Sequence, residues 1–465
     1  MLTKYKYLFF VLAGALLLMF DAFYNGFPLV YSDTSTYLAS GFELETPFDR
    51  PITYGLFLRI TSLDGLTLWL TVFIQALITS YLIFQTSQLI LGDKIFLKTG
   101  LAIIGILSFF TGLSWTVCQL IPDIFTSIAL LLVILILFGN FNLKKNIWFY
   151  FLFLLAVAMH MSHLLLFFLI ITSIFLFRKR FIPQEQVPKL NLKSGMLLML
   201  IAASILTMGS ALSKSKHIFF MGAMVEHGIL KKYLDENCGT HEYKLCRYKD
   251  SLPDKAYLFI WEKETSPLYK MGSWNDVKPE FNEIIHATLT QPGFIGMHIR
   301  ASAAATLDQL LKFGINDGNG SFPAGTVLHE RIAKYCPNDL DAYNHSKQSE
   351  GRLNFTDSWN ILFMIITLLS LALIIILPGG IRSIFKTTAG NILFIIIAAI
   401  LLNAWDCGTF ANAIDRLGCK MIWLLPMSAG LIVTHHLQRK KPLSNNLIIA
   451  PGLFREEQIS GSSVL

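Results

Sequence analysis

The sequence predicts an all-α polytopic membrane protein with about ten transmembrane helices and a small, mostly helical outer domain. Of the 465 residues, 54% are hydrophobic and only 15% are charged, and the mean hydropathy is +0.54. The apolar residues form long runs, and the basic residues fall in short clusters between them. This composition excludes a water-soluble globular enzyme and a disordered chain. The net charge of +7 therefore serves to orient the chain in a membrane and does not indicate a nucleic-acid partner.

The predicted spans follow from the lengths of the apolar runs, because about 20 apolar residues cross the hydrocarbon core of a bilayer. The run from Ile147 to Phe177 is long enough for two short spans with a break around His160 to His163. Counting that run twice gives about ten helices. The runs begin near Tyr7, Leu66, Thr99, Pro122, Ile147, Ser194, Trp359, Thr387 and Met421.

Basic clusters between the runs set the expected orientation. If all of them face the cytoplasm, the spans alternate without exception and both termini are cytoplasmic. No small-residue cleavage site precedes Asp21 and Phe23, so the first run is kept as a span and not as a signal peptide. The clusters are Lys4 and Lys6, Lys94 and Lys98, Lys144 and Lys145, Arg178 to Arg180 with Lys189 and Lys193, Arg382 and Lys386, and Arg439 to Lys441.

The expected domain organisation has four parts in an inner (plasma) membrane. Residues 1–212 form an N-terminal membrane region of about seven spans, and residues 358–441 form a C-terminal membrane region of about three. Residues 213–357 have soluble composition and are predicted to form the outer, periplasmic domain. Within it, Pro292 to Phe313 mixes apolar and polar residues at helical spacing, which suits a helix on the membrane surface. Residues 442–465 are a cytoplasmic tail.

The cysteines agree with this topology. All six lie on outer loops or outer helix ends in this arrangement, which suits an oxidising compartment. Cys238 and Cys246 are predicted to form a disulfide across a short loop, and Cys407 and Cys419 are a second candidate pair. Their spacing matches no zinc ribbon or haem motif, so structural disulfides or plain thiols are favoured over a metal site.

The ionisable residues outside the basic clusters converge on the outer face, which makes them candidate site residues. Asp33 lies a few residues after the first run and is either a helix cap or a base whose pKa is raised by desolvation. Arg50 and Arg59 flank an apolar stretch, where an arginine either holds a lipid phosphate or extends to lipid headgroups. Asp123, beside Pro122, is either a helix cap or a functional acid.

Three further residues complete the candidate set. His160 and His163 are three apart and are either metal ligands, proton carriers or satisfied buried histidines; a zinc site would need a third ligand. Arg416 either pairs with Asp415 or faces the site that Asp33 occupies. No Walker loop, GxGxxG, GxSxG or HExxH motif occurs, which argues against nucleotide-driven transport and the familiar hydrolases.

The first outer segment, from Tyr31 to Arg59, resembles the GT-C superfamily of polytopic glycosyltransferases, in particular the protein O-mannosyltransferases and aminoarabinose transferases. The resemblance rests on Asp33 just after the first run, then Arg50-Pro51 and the Tyr54-Gly-Leu-Phe-Leu run. It implies that Asp33 is the catalytic base and that the donor is a sugar on a polyprenyl phosphate. Pro122-Asp123 resembles a second acidic position, and Arg416 before Trp423 to Pro426 resembles an arginine-bearing approach to a late span.

The resemblance implies the substrates as well. The expected partners are the polyprenyl-phosphate sugar donor, a lipid, glycan or protein acceptor, and membrane lipids. Arg50, Tyr54, Asp123, His160, His163 and Arg416 are the expected substrate-binding residues. Two features depart from the family. Thr34 follows Asp33 where many members have a second acid, and the outer domain is inserted between the seventh and eighth spans; both leave the acceptor and a divalent metal open.

Two other classes of protein stay open at this point. A lipid-linked oligosaccharide polymerase or ligase would depend on arginines of the outer loop, and Arg300 and Arg331 are available for this. A transporter would have polar residues at mid-membrane and repeated halves, and no repeat is evident.

The topology can be tested by labelling. We expect cysteines or reporter fusions at Lys145 and Leu465 to be accessible from the cytoplasm and one at Gly320 to be accessible from outside, because this arrangement places every basic cluster inside. Labelling of position 145 from the outer side would overturn the arrangement.

Overall fold

The computed structural model of the chain describes residues 2–139, 143–181, 185, 187–315, 317–318, 320–353, 357–376 and 387–440. Helices account for 77% of it, and the described residues form no strand, which confirms the all-α class. The only departure from helices and loops among them is an isolated parallel bridge between Leu29 and Gln119. The predicted tail at 442–465 and the basic pair Arg382 and Lys386 lie outside the described residues.

Twelve helices lie within the described residues of the first half of the chain. They are α1 (Leu2–Leu18), α2 (Phe20–Asn25), α3 (Ser32–Glu43), α4 (Thr53–Thr61), α5 (Trp69–Leu91), α6 (Phe96–Phe110), α7 (Leu113–Cys118), α8 (Ile124–Phe138), α9 (Leu143–Ala158), α10 (Ser162–Leu176), α11 (Arg178–Phe181) and α12 (Val187–Glu226).

Eleven α-helices follow in the part of the second half that the structure describes, with 3-10 turns at Lys244–Ser251 and Pro337–Asp339. The helices are α13 (Ile229–Asn237), α14 (Ala256–Trp261), α15 (Pro267–Met271), α16 (Lys278–Thr290), α17 (Pro292–Leu311), α18 (Val327–Tyr335), α19 (Leu340–Asn344), α20 (Asp357–Ile376), α21 (Thr388–Phe410), α22 (Asp415–Ile422) and α23 (Leu424–Lys440).

Several helices are long and apolar enough to span a membrane, in agreement with a membrane protein. Five meet that standard within the described residues: Trp69–Leu91, Val187–Leu206, Ser358–Ile376, Thr388–Phe410 and Asp415–Arg439. Shorter apolar helices lie at Phe96–Phe110, Ile124–Phe138, Ile147–Ala158 and Ser162–Leu176. The predicted count of about ten spans is therefore not confirmed, because these shorter helices fall below the roughly 20 residues that cross the hydrocarbon core.

Helix ends within apolar runs explain the short helices. The run that begins near Thr99 continues as a helix only to Phe110, since the chain turns into extended backbone at Thr111 although apolar residues resume at Leu113. The run from Ile147 breaks between Ala158 and Ser162, where the sequence places the break. Turn residues inside an apolar run end a helix without changing the hydropathy of the run, so composition alone overestimates helix length.

The predicted outer segment divides between two hydrophobic cores. Residues from Ile218 to Phe294 form a core of their own, whereas Leu328, Ile332 and Tyr343 belong to the main core. The proposed boundary after residue 212 falls inside α12, which continues unbroken to Glu226. α17 forms as expected and packs along α21, where Gly408 lies against the backbone of Ala305.

The first outer segment folds as a tight pair of helices, α3 and α4. A Cβ at Gly41 would lie 2.1 Å from the Gly55 carbonyl oxygen, and a Cβ at Gly55 would lie 2.6 Å from the Tyr37 carbonyl oxygen. Only glycine permits so close an approach of two backbones. The crossing turns the connecting loop, which carries Arg50, back towards the start of α3, which carries Asp33.

Hydrogen bonds between distant segments then hold α3 in place. The Leu29 amide donates to the Cys118 carbonyl at 2.9 Å, and the Leu120 amide donates to the Leu29 carbonyl at 2.9 Å. The Gln348 side chain joins the same region, since its amide accepts from the Val30 N–H at 3.0 Å and donates to the Val30 carbonyl at 2.7 Å. The loops before α3 and before α8 are therefore fixed side by side.

The cysteines divide into one disulfide and four free thiols. Cys238 and Cys246 are bonded, with their Cα atoms 5.7 Å apart, which confirms the first predicted pair. The second candidate pair is wrong: Cys407 and Cys419 are both free and buried. Cys419 Sγ lies 3.5 Å from the hydroxyl of Thr116, and Cys407 Sγ lies 3.6 Å from the side-chain oxygen of Asn403, so the two sulfurs have different partners.

Thiol counting tests this assignment. In protein purified without reductant, we expect no rapid labelling by a water-soluble maleimide, because Cys118, Cys336, Cys407 and Cys419 are at most 4% exposed. Denaturation should release these four thiols, and reduction should raise the count to six. Six thiols after denaturation alone would contradict the disulfide, and two would restore the Cys407–Cys419 pair.

Candidate functional site

Four predicted residues from three distant parts of the chain meet in one ion-pair cluster. Arg50 Nη1 lies 3.1 Å from Asp33 Oδ1, and Arg416 Nη1 lies 3.3 Å from Asp33 Oδ2. Arg416 also reaches Asp123, with its Nε 3.2 Å from Oδ2. The side chains of both arginines are 13% exposed, that of Asp33 is 27% exposed and that of Asp123 only 1%. Asp33 is thus the most accessible member of a largely buried group.

The start of α3 places Asp33 opposite Asp123. Asp33 lies in the first turn of α3, and the hydroxyl of the next residue, Thr34, donates to the Leu120 carbonyl at 3.1 Å. Since Leu120 is three residues before Asp123, this bond and the bridge at Leu29 bring the two carboxylates to one place. A single side chain, Arg416, is then able to contact both.

Arg50 is held by contacts on two sides. It forms an ion pair with its neighbour Asp49, to which its Nε also donates at 2.9 Å, and its guanidinium carbon lies 5.2 Å from the Tyr37 ring centre. Tyr54 supports that ring from behind at 4.9 Å, and its hydroxyl donates to Gln75 Oε1 at 2.8 Å. Tyr54 is therefore a fully buried residue that supports the Tyr37 ring.

Arg416 is held from the opposite side. Its backbone N–H donates to Asp317 Oδ2 at 2.8 Å, and its guanidinium carbon lies 4.2 Å from the centre of the Tyr31 ring. The expected alternative, a pair with Asp415, is not formed, because the Asp415 carboxylate accepts the Gly314 N–H at 2.8 Å instead. Arg59, the other arginine of the first outer segment, pairs with Asp64 at the surface and lies outside the cluster.

The electrostatics of Asp33 differ from expectation. Burial acts to raise the pKa of this carboxyl, but the charges of Arg50 and Arg416 outweigh burial and lower its pKa to about 2. Asp33 is therefore an ionised carboxylate at neutral pH. The expectation of a pKa raised by desolvation is wrong, because the sequence does not reveal that two arginines converge on one carboxylate.

Asp33 and Asp123 take different positions at the starts of their helices, and neither side chain caps a helix. Asp33 follows the N-cap, Tyr31, by two residues, and its side chain points to the arginines. Asp123 does occupy the N-cap position of α8, but its side chain accepts no capping hydrogen bond. Both carboxylates are committed to guanidinium groups and not to helix ends.

The two histidines have different environments. His163 is fully buried; its Nδ1–H donates to the Ala156 carbonyl at 2.8 Å, and its Nε2 accepts from the Thr126 hydroxyl at 2.7 Å. Both ring nitrogens are used, so His163 has no atom free for a ligand. His160 is only half-buried, and burial together with the charges of Lys420, Arg416 and Arg50 lowers its pKa to about 3. His160 therefore borders the cluster as a neutral ring.

The sequence analysis missed two ionisable residues of this region as site residues. Lys420 is fully buried, and its Nζ has no hydrogen-bond partner among the described residues. Asp406 is 4% exposed, and its Oδ2 likewise has no such partner. The available signal was spacing: Lys420 is four residues after Arg416, which places both on the same face of α22.

The donor set does not fit a divalent metal. No three His, Cys, Asp or Glu side chains lie together as a potential metal site in the part of the chain that the structure describes. Asp33 and Asp123 already face positive charges, and His163 has no free nitrogen. The described residues therefore offer no set of ligands for a divalent metal.

The buried ion pairs predict a specific stability effect. Arg416→Gln should destabilise the protein by about 3–5 kcal/mol, because it leaves the buried Asp123 carboxylate uncompensated. The matched control is Arg352→Gln, which removes a surface ion pair with Glu350 and should change stability by about 1 kcal/mol or less. Thermal unfolding in detergent measures both.

A second substitution separates charge from packing. Adding Asp123→Asn to the Arg416→Gln variant should recover part of the lost stability, since it removes the uncompensated charge. An Arg416→Gln variant as stable as the control would show that the ion pairs do not hold the cluster.

No family model, curated protein or solved structure matches this chain.

Proposed function

We propose that this protein transfers a sugar from a polyprenyl-phosphate-linked donor to an acceptor at the outer face of the membrane. The proposal makes it a glycosyltransferase similar to the GT-C superfamily. One observation carries it: the carboxylate of Asp33 lies between the guanidinium groups of Arg50 and Arg416, which come from opposite ends of the chain. A base and cationic groups side by side are what transfer from a lipid phosphate requires.

The chemistry assigns each group a role. The oxygen of an acceptor hydroxyl attacks the anomeric carbon of the donor sugar, and its proton passes to the Asp33 carboxylate. The bond between that carbon and the phosphate oxygen breaks, and the electron pair leaves with the phosphate. Positive charge near that oxygen stabilises the leaving anion.

The low pKa of Asp33 is compatible with a base whose strength depends on the donor. With Arg50 and Arg416 both paired to it, the carboxylate is a weak base, since its pKa is about 2. A phosphate anion in contact with the same guanidinium groups would compete with Asp33 for them. The carboxylate would then regain basicity only in the presence of the donor.

The acceptor is a hydroxyl of a lipid, a glycan or a protein, and the surrounding membrane lipids are the other expected partners. The setting proposed for the reaction is a multi-pass protein of the inner membrane with cytoplasmic termini. The acceptor class follows from the family resemblance, and the membrane setting follows from the charge pattern of the sequence.

A lipid-linked oligosaccharide polymerase or ligase is the second candidate, and one contact favours it. Arg331, an arginine of the outer segment, donates from Nη1 to the Ser35 carbonyl at 2.6 Å, which places it against the helix that carries Asp33. Arg300 is exposed on α17 and has no such contact among the described residues. Loss of activity on Arg331→Gln with Asp33→Asn still active would favour this class.

The central test is the substitution Asp33→Asn. Because general-base catalysis contributes about 100-fold to 10,000-fold in rate, we expect turnover to fall by at least roughly 100-fold. The measurement is transfer of labelled sugar from a polyprenyl phosphate donor in nanodiscs, at matched amounts of folded protein.

Asp64→Asn is the matched control, since Asp64 forms a surface ion pair with Arg59 that lies outside the cluster. It should leave turnover unchanged. Equal rates for wild type and Asp33→Asn would remove Asp33 from the mechanism and with it this proposal.

A further inference from the structure

The buried amino group of Lys420 has no partner that accounts for it. Its side chain is 0% exposed, and Nζ makes neither a hydrogen bond nor an ion pair with the described residues. A buried charge without a partner is strongly destabilising, and proteins retain such groups chiefly where a ligand or a reaction needs them. The position of Lys420 in the candidate site makes a ligand the better explanation.

The charge balance of the cluster shows what Lys420 adds. Three carboxylates, those of Asp33, Asp49 and Asp123, face only two guanidinium groups, those of Arg50 and Arg416. This group has one more negative charge than positive charge. An anion that approaches the arginines alone therefore meets no spare positive charge and has to displace a carboxylate. Lys420 brings the count to three charges of each sign, and it is the cation that no described carboxylate contacts.

Asp406 does not neutralise Lys420 by contact. The two side chains interact electrostatically, yet they form no ion pair, and Asp406 Oδ2 also has no hydrogen-bond partner among the described residues. The lysine amino group is therefore still available to an anionic oxygen.

His160 supplies a second donor next to Lys420. Its Nδ1 accepts the Ser162 N–H at 3.3 Å, so the proton of the neutral ring is on Nε2. Nε2 makes no hydrogen bond to a described residue and is free to donate.

Lys420 and His160 both lie beside the first turn of α8. Arg416, one turn before Lys420, pairs with the N-cap residue of that helix. The ring of His163, which lies 5.4 Å from that of His160, bonds Thr126 in the same turn. The two free donors therefore lie in the same part of the site.

We propose that Lys420 and His160 form the anion-binding position of the site and that they bind the phosphate group of a lipid-linked phosphate. Lys420 then supplies positive charge that the arginines, already paired with carboxylates, lack, and the bound phosphate competes with Asp33 for the guanidinium groups. The binding of a phosphate oxyanion does not require sugar transfer, but the lipid-linked source of that phosphate rests on the proposed function.

Calorimetric titration of the purified full chain in detergent tests this position. The probes are a short-chain prenyl monophosphate and inorganic phosphate. We expect wild type to bind the prenyl phosphate, and Lys420→Met to raise its Kd at least about 30-fold, as expected for loss of a buried charged partner. Lys263→Met, at an exposed outer lysine, is the matched control and should bind as wild type.

Stability separates a ligand-binding lysine from a structural one. Without ligand, Lys420→Met should be at least as stable as wild type, because it removes an unpaired buried charge. If Lys420 instead stabilised the fold, the Lys420→Met substitution would lower the unfolding midpoint. A Lys420→Met variant that does not fold would contradict the proposed role of Lys420. His160→Phe measures the role of His160 independently, with an expected loss of about tenfold in affinity.

The outcomes distinguish this inference from the proposed function. Prenyl phosphate binding that Lys420→Met leaves unchanged, or no binding by wild type, overturns the inference, even where sugar transfer still depends on Asp33. Binding that depends on Lys420 without any sugar transfer sustains the inference and rejects the glycosyltransferase. Equal affinity for inorganic and prenyl phosphate would identify free phosphate as the ligand and overturn the lipid-linked source.

Discussion

Arg416 contacts two carboxylates that belong to separate segments of the chain, and the arrangement of the ion-pair cluster depends on these two contacts. Asp33 follows the first apolar run, and Asp123 begins a helix that is almost wholly buried. A carboxylate as buried as Asp123 requires a positive partner at close range. The charge of Arg416 therefore links three segments of the chain.

The backbone around the cluster is arranged to make those contacts possible. Gly41 and Gly55 let α3 and α4 cross closely enough to return Arg50 to the start of α3. The bridge between Leu29 and Gln119 sets the loop before α3 against the loop before Asp123. Neither feature contributes a charge, yet each decides which charges meet. Substitutions far from the ionisable residues would consequently act on the site through backbone position.

The same cluster couples position and charge in a way that suits an anionic substrate. The arginines lower the pKa of Asp33, so the carboxylate is ionised but weakly basic in the free protein. Lys420 and His160 supply donors that the carboxylates do not occupy. A ligand that carries negative charge would change the balance between these groups, and the proposed base would respond to it.

The sequence by itself determined the all-α class, the membrane character, the Cys238–Cys246 disulfide and the identity of most residues of the site. Each depends on local information: hydropathy along the chain, a short loop between two cysteines, and charges that are rare in apolar surroundings. It did not determine helix lengths, because a turn such as that at Thr111 leaves the hydropathy of a run almost unchanged. Only the tertiary structure decided that Asp33 has two arginine partners and that both ring nitrogens of His163 are hydrogen-bonded. It also decided that Lys420 has no partner among the described residues. These are distances between segments up to several hundred residues apart, and the energy of a charge depends on such distances far more than on its neighbours in sequence.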